Sequence, residues 1–157
     1  MSNDLAFKKE NELALEQEGL KQFVTMRVNK QLFGIPVLMV QDVLRPQKIT
    51  NIPLAKPEIM GAINLRGKIV TVIDMRKRLS LPEREEGAPS MQIVTDHGDE
   101  QYSLVVDGVG EVLNLPISDF EHNPANLSEN WKKVSLGVYR LEGDIMVVLD
   151  IDSLVNF

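Results

Sequence analysis

The sequence lacks cysteine among its 157 residues, which excludes disulfides and thiolate metal ligands. No apolar run approaches the ~20 residues that a membrane-spanning helix needs. The N-terminal segment is polar and acidic, unlike a signal peptide. These absences favour a cytoplasmic location without direct insertion into a membrane. A chain of this length buries enough surface to fold without such covalent staples.

Aromatic residues are also scarce. They make up 5% of the chain, and between Phe33 and Phe120 there is only Tyr102. Proteins that bind single-stranded nucleic acids need aromatic platforms along a basic groove. The basic group 76–78 has no such platform beside it, and the sequence pI of about 5.0 opposes binding to phosphates. We therefore predict no nucleic-acid partner.

Signatures of catalysis are missing as well. There is no glycine-rich phosphate loop, and no serine lies in a nucleophile-elbow context. The polar stretch 96–100, which includes His97, could in principle hold a metal, but an ordinary polar hairpin tip has the same composition. Asp74 and Asp150 could form a carboxylate pair, yet they occupy equivalent positions in a repeat, which favours a structural role such as capping a turn. We predict no catalytic residue, no metal and no cofactor.

The chain does contain an internal repeat. Residues 61–79 and 137–155 share six identities at an offset of 76, and residues 33–44 and 102–113 share four at an offset of 69. The difference of seven residues falls in the polar stretch 117–133. Two copies are too few for a solenoid, so a paired small-barrel or sandwich arrangement fits better.

Short runs rich in β-branched residues, separated by turn residues, predict about ten strands and an all-β fold. We expect the strand centres of the repeat to be buried. These core positions are Ile69, Val72, Ile145 and Val148. The repeated glycines are expected to serve turns, because glycine accepts positive φ. They are Gly61, Gly67, Gly137 and Gly143.

Charge is unevenly distributed along the chain. Residues 45–84 contain nine basic and three acidic side chains, whereas residues 85–130 contain ten acidic and no basic ones. Separate surfaces of opposite sign would suit oriented contacts with protein partners. Alternatively, folding brings the two segments together and cancels the field. The sequence leaves both outcomes open.

Arg66 is the residue that most suggests a contact. It precedes Gly67 in a predicted hairpin turn, and the aligned residue of the second copy is Glu142, of opposite charge. The repeat thus keeps the glycine and the flanking leucine but not this charge. Positions shared by both copies indicate architecture, so Arg66 indicates something particular to the first copy.

The most characteristic stretches are GAINLRGKIVTVIDMRKRL and FGIPVLMVQDVL in the first copy, and LVVDGVGEVLNL and GVYRLEGDIMVVLDIDSL in the second. Together they resemble the signature of the CheW-like domain family, in the same order, across about residues 22–155. One departure is Thr71, where the family commonly has proline. A strand accepts threonine, so the departure does not affect the expected fold.

The resemblance implies an all-β fold of two intertwined SH3-like five-stranded β-barrels, with short helices at loops and termini. We expect residues 1–20 to form a flexible or marginally helical tail. Residues 21–84 would form the first barrel subdomain and residues 85–157 the second, and an exchange of terminal strands between the barrels remains open.

The resemblance also implies a non-catalytic adaptor that couples the cytoplasmic tips of chemoreceptors to a CheA-type histidine kinase, at membrane-associated receptor arrays. The receptor- or kinase-binding residues it implies are Val40, Asp42, Asn64, Arg66, Val106, Gly108 and Val109. An interface loop of the second barrel would include Phe120, Glu121 and Leu127. The alternative is a small β-barrel ligand-binding protein or enzyme outside signalling.

Overall fold

The computed structural model describes residues 2–157, and nearly half of them lie in short, mostly antiparallel strands. The strands are β1 (Leu20–Val28), β2 (Gln31–Pro36), β3 (Val40–Leu44), β4 (Ile59–Leu65), β5 (Lys68–Asp74), β6 (Met91–His97), β7 (Glu100–Val106), β8 (Gly108–Pro116), β9 (Ser135–Leu141) and β10 (Asp144–Leu149). The helices are α1 (Ser2–Gln17), α2 (Met75–Arg78), α3 (Glu129–Lys132) and α4 (Ile151–Val155). None of the described helices is long and apolar enough to cross a bilayer.

The strands form two five-stranded sheets. Sheet A has the order β8-β1-β2-β10-β9, and sheet B has the order β3-β6-β7-β5-β4. If β1–β5 are matched to β6–β10, the order of sheet A becomes the order of sheet B. Both sheets also contain one parallel pair, β2 with β10 and β5 with β7. The mostly-β class and the duplication are therefore confirmed, and each sheet combines strands from both halves of the chain.

One large core lies between the sheets and two smaller cores lie within them. The large core takes buried side chains from both sheets, such as Met26 and Phe33 of sheet A and Ile73 and Leu104 of sheet B. The smaller cores contain Phe23, Leu32, Tyr139, Met146 and Val148 in sheet A, and Ile63, Val70, Val72 and Val105 in sheet B. The two sheets are thus joined by continuous apolar packing.

Two of the four predicted core positions are wrong. Val72 and Val148 are 0% and 2% exposed, as expected, but Ile69 is 72% and Ile145 is 38% exposed. Ile69 lies beside the tip of the β4–β5 hairpin and Ile145 beside the tip of the β9–β10 hairpin. The hairpins extend beyond the large core at these ends, so the first isoleucine of each strand reaches solvent.

The expected turn role is also wrong for two of the four glycines. Gly61 and Gly137 lie inside β4 and β9, whereas Gly67 and Gly143 lie in hairpin turns with φ of 83° and 72°. A Cβ on Gly61 would overlap the carbonyl oxygen of Thr50, and one on Gly137 would overlap Phe120 and the carbonyl of Glu121. The strand glycines are needed because a neighbouring segment crosses them closely.

Val72→Asp should unfold the protein or abolish its soluble expression. The change places an unpaired carboxylate in the fully buried core of sheet B, which costs about 3 kcal/mol or more. Ile69→Asp is the matched control, because it adds the same charge to the same strand at an exposed position. Thermal melting of both variants tests this: a near-native melt for Val72→Asp would contradict the assigned core.

Candidate functional site

The Arg66 side chain projects from a rigid turn. Arg66 and Gly67 connect the last pair of the β4–β5 ladder, and both have positive φ, 52° and 83°. Two successive residues with positive φ form the tight hairpin turn whose backbone twist matches the twist of the two flanking strands. The Asn64 side chain secures it, since its Oδ1 accepts a hydrogen bond from the Gly67 amide at 3.0 Å. The backbone therefore holds Arg66 at one place, with its side chain 58% exposed.

Arg66 forms an ion pair with Asp42, so the structure brings together two residues that were predicted separately. The Arg66 Nη2 atom lies 2.9 Å from Asp42 Oδ2. Asp42 is on β3 and Arg66 follows β4, and these strands are the opposite edges of sheet B. The pair thus connects the two edges at one end of the sheet. At the aligned positions of the second copy stand Glu111 and Glu142, which have the same sign and cannot form such a pair.

The remaining residues of the first predicted set differ in accessibility. Val40 and Val106 are 5% and 1% exposed and belong to the large core. Gly108 and Val109 begin β8 and are half-buried, and Val109 packs against the core. The Val106 side chain is therefore closed to a partner in this conformation, whereas Val40 forms part of the groove described next.

A groove lies where the two sheets meet, and we call it the junction groove. It has a volume of about 470 Å³. Its apolar lining comes from four valines: Val24 of β1, Val37 just before β3, Val40 of β3 and Val112 of β8. Val112 is 51% exposed. The polar lining consists of Lys8, Asn11 and Gln22. The groove therefore offers apolar surface between strands of both sheets.

A second apolar depression, the aromatic hollow, lies on sheet A. It has a volume of about 290 Å³ and is lined by Lys21, Phe23, Pro36, Ile117, Phe120, Leu136, Tyr139 and Val148. The Tyr139 ring is 5.4 Å from that of Phe23 and 5.5 Å from that of Phe120. Ile117, Phe120 and Leu136 remain 45%, 37% and 49% exposed. Such a contiguous exposed apolar patch is typical of a protein interface.

The predicted interface loop borders the aromatic hollow. Phe120 is part of its wall, and Glu121 beside it pairs with Arg140 of β9 at 3.0 Å. Leu127 lies further along the loop, is half-buried, and donates its amide to the Pro124 carbonyl at 3.1 Å. The sequence reasoning identified the loop but missed the sheet residues Phe23, Leu136 and Tyr139, whose exposure depends on how β1 and β9 pack.

A half-buried group of polar contacts around Asp107, which we call the Asp107 clamp, was also missed. Asp107 connects β7 of sheet B to β8 of sheet A, and its carboxylate accepts hydrogen bonds from Arg76 at 3.1 and 2.7 Å and from the Asn29 amide at 2.7 Å. Burial would raise the pKa of Asp107, but these hydrogen bonds outweigh it and the pKa is lowered. The sequence did offer a signal for this contact, because Arg76 in the motif VIDMR and Asp107 in the motif VVDGV have opposite charges.

The clamp also answers the question of charge distribution. Among the ion pairs of residues 2–157, only Arg76–Asp107 joins the basic segment 45–84 to the acidic segment 85–130. Folding therefore does not cancel the two fields by direct pairing.

The residues considered for catalysis or metal binding have structural contacts. Asp74 caps α2, because its Oδ1 accepts from the amides of Arg76 and Lys77, and Asp150 accepts from Ser153 Oγ at the start of α4. The predicted capping role is confirmed for Asp74, whereas Asp150 makes no side-chain hydrogen bond to the backbone of α4. His97 contacts Asp152 at 2.9 Å, and within the described residues no group of three potential metal ligands comes together.

Comparison with known proteins places the chain in a family. The family model of the CheW-like domain matches residues 22–157. The chemotaxis protein CheW of Bacillus subtilis is 30% identical over 138 residues, which cover 88% of each chain. The FrzA protein of Myxococcus xanthus is 28% identical, with 92% of this chain and 88% of that one covered. The crystal structure of the scaffolding protein TtCheW from Thermoanaerobacter tengcongensis superposes with a TM-score of 0.80 at 27% identity. The superposition covers 87% of this chain and 93% of that one.

Asp107→Asn should lower the free energy of unfolding at neutral pH by about 1.5–3 kcal/mol, because charge-assisted hydrogen bonds are lost at a site that is 23% exposed. The pKa of Asp107 is lower in the folded state than in the unfolded chain. The ionised carboxylate therefore stabilises the fold fully when the pH is above the unfolded-state pKa, and this stabilisation is lost as the pH falls through the folded-state pKa. The difference between variant and wild type should therefore shrink in acid.

The matched control is Asp144→Asn, which removes the charge from the more exposed pair with Arg27 and should cost less than about 1 kcal/mol. Urea unfolding at several pH values measures both variants. A wild-type stability for Asp107→Asn, or a deficit that stays constant in acid, would contradict the clamp.

Proposed function

Because its residues 22–157 match the family model, the chain belongs to the CheW-like domain family, and we propose that it is a non-catalytic adaptor coupling chemoreceptors to a CheA-type histidine kinase. The observation that carries this proposal is the Asp42–Arg66 pair, which holds an exposed arginine on a rigid turn. A surface residue in a fixed position is what an adaptor requires.

The receptor would bind at the Arg66 turn and the junction groove. Chemoreceptor tips are helical, and an amphipathic helix is recognised by burying its apolar side in a hydrophobic groove. Val24 and Val112 provide apolar surface there, while Val40 and Val106 support the groove from the core. Arg66, Asp42 and Asn64 would supply polar contacts beside it, which set orientation and register.

The kinase would bind at the aromatic hollow. Phe120, Leu136 and Ile117 are exposed around it, and aromatic and aliphatic anchors of this kind carry most of the energy in protein interfaces. The adjoining carboxylates of Asp119 and Glu121 would favour a partner with basic residues at the rim. Receptor and kinase would thus occupy different surfaces of one rigid body.

We extend the proposal to location and architecture. The protein would act in the cytoplasm at membrane-associated receptor arrays. Each sheet would roll into an SH3-like barrel, which is supported by the bridges from Thr50 to Ala62 and from Glu121 to Val138 beside the sheet edges. The subdomains would be residues 21–84 and 85–157, with strands exchanged between them.

Arg66→Glu should fold normally but weaken receptor-dependent kinase activation. An exposed ion pair contributes little stability, about 0–1 kcal/mol, whereas a lost charge-assisted contact at an interface costs about 2 kcal/mol, roughly thirtyfold in affinity. The measurement is kinase activation in receptor-containing membranes, together with a melting curve. Arg27→Glu, which breaks the exposed Arg27–Asp144 pair, is the matched control and should activate normally.

The double variant Asp42→Arg/Arg66→Glu separates two roles for the arginine. Recovery of activation would mean that the ion pair positions the turn, and continued loss would mean that the guanidinium contacts the partner. Normal activation by the single variant Arg66→Glu, with a normal melt, would remove Arg66 from the interface.

Leu136→Lys should reduce binding to the kinase by roughly tenfold or more without lowering the melting temperature. Leu136 is 49% exposed, so the fold tolerates the charge, but a lysine would be desolvated against an apolar partner. Leu13→Lys makes the same change on α1, at an exposed position outside the hollow, and should bind the kinase normally. Calorimetric titration with the isolated kinase measures both, and equal affinities would exclude the hollow as the kinase site.

A further inference from the structure

The N-terminal helix α1 covers part of the junction groove. It packs on β1 and on the short helical turn Val37–Met39 before β3, and its Lys8 and Asn11 contribute to the groove wall. The family model matches residues 22–157, so this helix precedes the region that the model matches. The groove proposed above for the receptor tip is therefore occupied in part by a segment of the chain itself.

Two hydrogen bonds connect α1 to the strands beneath it. Lys8 Nζ donates to the carbonyl of Val40 on edge strand β3 at 2.8 Å, and Asn11 makes a long, exposed hydrogen bond of 3.4 Å to Gln22. Leu13, the kind of side chain that would fit an apolar groove, is 59% exposed, whereas Lys8 and Asn11 lie at the groove. At this part of the groove, polar side chains of the helix therefore adjoin an apolar surface.

A buried carboxyl adds to this mismatch. Glu12 is 3% exposed, and its Oε2 has no hydrogen-bond partner. Burial raises the pKa of Glu12, the nearby Lys21 lowers it, and Glu16 raises it further. A buried polar atom without a partner costs free energy that an apolar residue at the same place would not. Glu12 therefore makes the docked position of α1 easier to leave.

We propose that α1 is a displaceable strap, which competes with the receptor tip for the junction groove. The inference rests on the proposed function, because it regulates the same site. A receptor helix would place apolar side chains against Val24 and Val112, at the groove where Lys8 and Asn11 of α1 now lie. Released from the body, a 16-residue helix is marginally stable in water, so displacement would also unfold it.

The competition has a quantitative consequence. A ligand that binds only the open state has its apparent affinity reduced by the fraction of molecules that are open. If the strap is closed in about nine molecules of ten, opening it completely raises the apparent affinity roughly tenfold. Changes in α1 should therefore alter receptor binding without altering the groove.

The test uses the full-length chain with Glu12→Lys and Glu10→Lys. Both make the same charge change on the same helix, but Glu12 is buried beside Lys21 whereas Glu10 is exposed. Glu12→Lys should open the strap and bind a soluble chemoreceptor tip fragment roughly tenfold more tightly. Glu10→Lys should bind like wild type. Amide hydrogen exchange in residues 2–17 reports independently whether the helix has left the body.

Glu12→Gln tests the opposite direction. The amide keeps the size of the side chain and an acceptor for the Gln22 backbone, but it removes the buried charge. The strap should close more tightly, so the tip fragment should bind more weakly than to wild type and the amides of α1 should exchange more slowly.

The outcomes distinguish the strap from the function on which it rests. Loss of α1 protection in Glu12→Lys with unchanged receptor affinity would overturn the competition and leave the proposed receptor site standing. Retained protection in Glu12→Lys would overturn the strap as well. If neither the wild type nor any variant binds the tip fragment, the proposed receptor function fails and the competition fails with it.

Discussion

The apolar core between the two sheets is the constraint on which the rest of the structure depends. Sheet A needs β1 and β2 from the first half of the chain and β8–β10 from the second, and sheet B is built in the reciprocal way. Side chains of both sheets fill the same core. Separating the sheets would expose that core, so the surfaces of the two sheets stay in a fixed relation.

A fixed relation between surfaces gives an adaptor its geometry. The Arg66 turn belongs to sheet B and the aromatic hollow to sheet A, so partners bound at these places are held at a defined distance and angle. The Asp107 clamp acts where the chain passes from one sheet to the other, since it ties Arg76 of α2, directly after β5 of sheet B, to the β1–β2 turn of sheet A. Packing and a half-buried ion pair thus maintain the same arrangement.

Most of the fold could be predicted because the internal repeat shows which strands and hairpins of the two halves correspond. Identities between the copies identified the hairpins, and β-branched runs identified the strands, including the buried positions Val72 and Val148. The same reasoning misplaced Ile69 and Ile145, because residue type does not reveal where a hairpin extends beyond the core. It also assigned Gly61 to a turn, although the close approach of Thr50 is visible only once the chain is folded.

The candidate site was less predictable, and the reason lies in how contacts arise. Arg66 could be selected because its charge differs between the copies, a property of the sequence alone. Its partner Asp42 is 24 residues away on the opposite edge of the same sheet, so their contact depends on how that sheet rolls. The aromatic hollow likewise combines residues of β1, β9 and the loop after β8, which no local pattern connects.

The comparison of the two copies shows where an adaptor can acquire specificity without losing its fold. Shared positions such as Gly61 and Gly137 are held by close contacts, so a substitution there would damage either copy equally. The turn residues Arg66 and Glu142 differ between the copies, although each precedes a glycine with positive φ, Gly67 or Gly143. With Asp42, Arg66 forms a pair, whereas Glu142 and Glu111 have the same charge and cannot. Duplication therefore produced two similar frameworks with different surface charge, and only the first has an arginine at this turn.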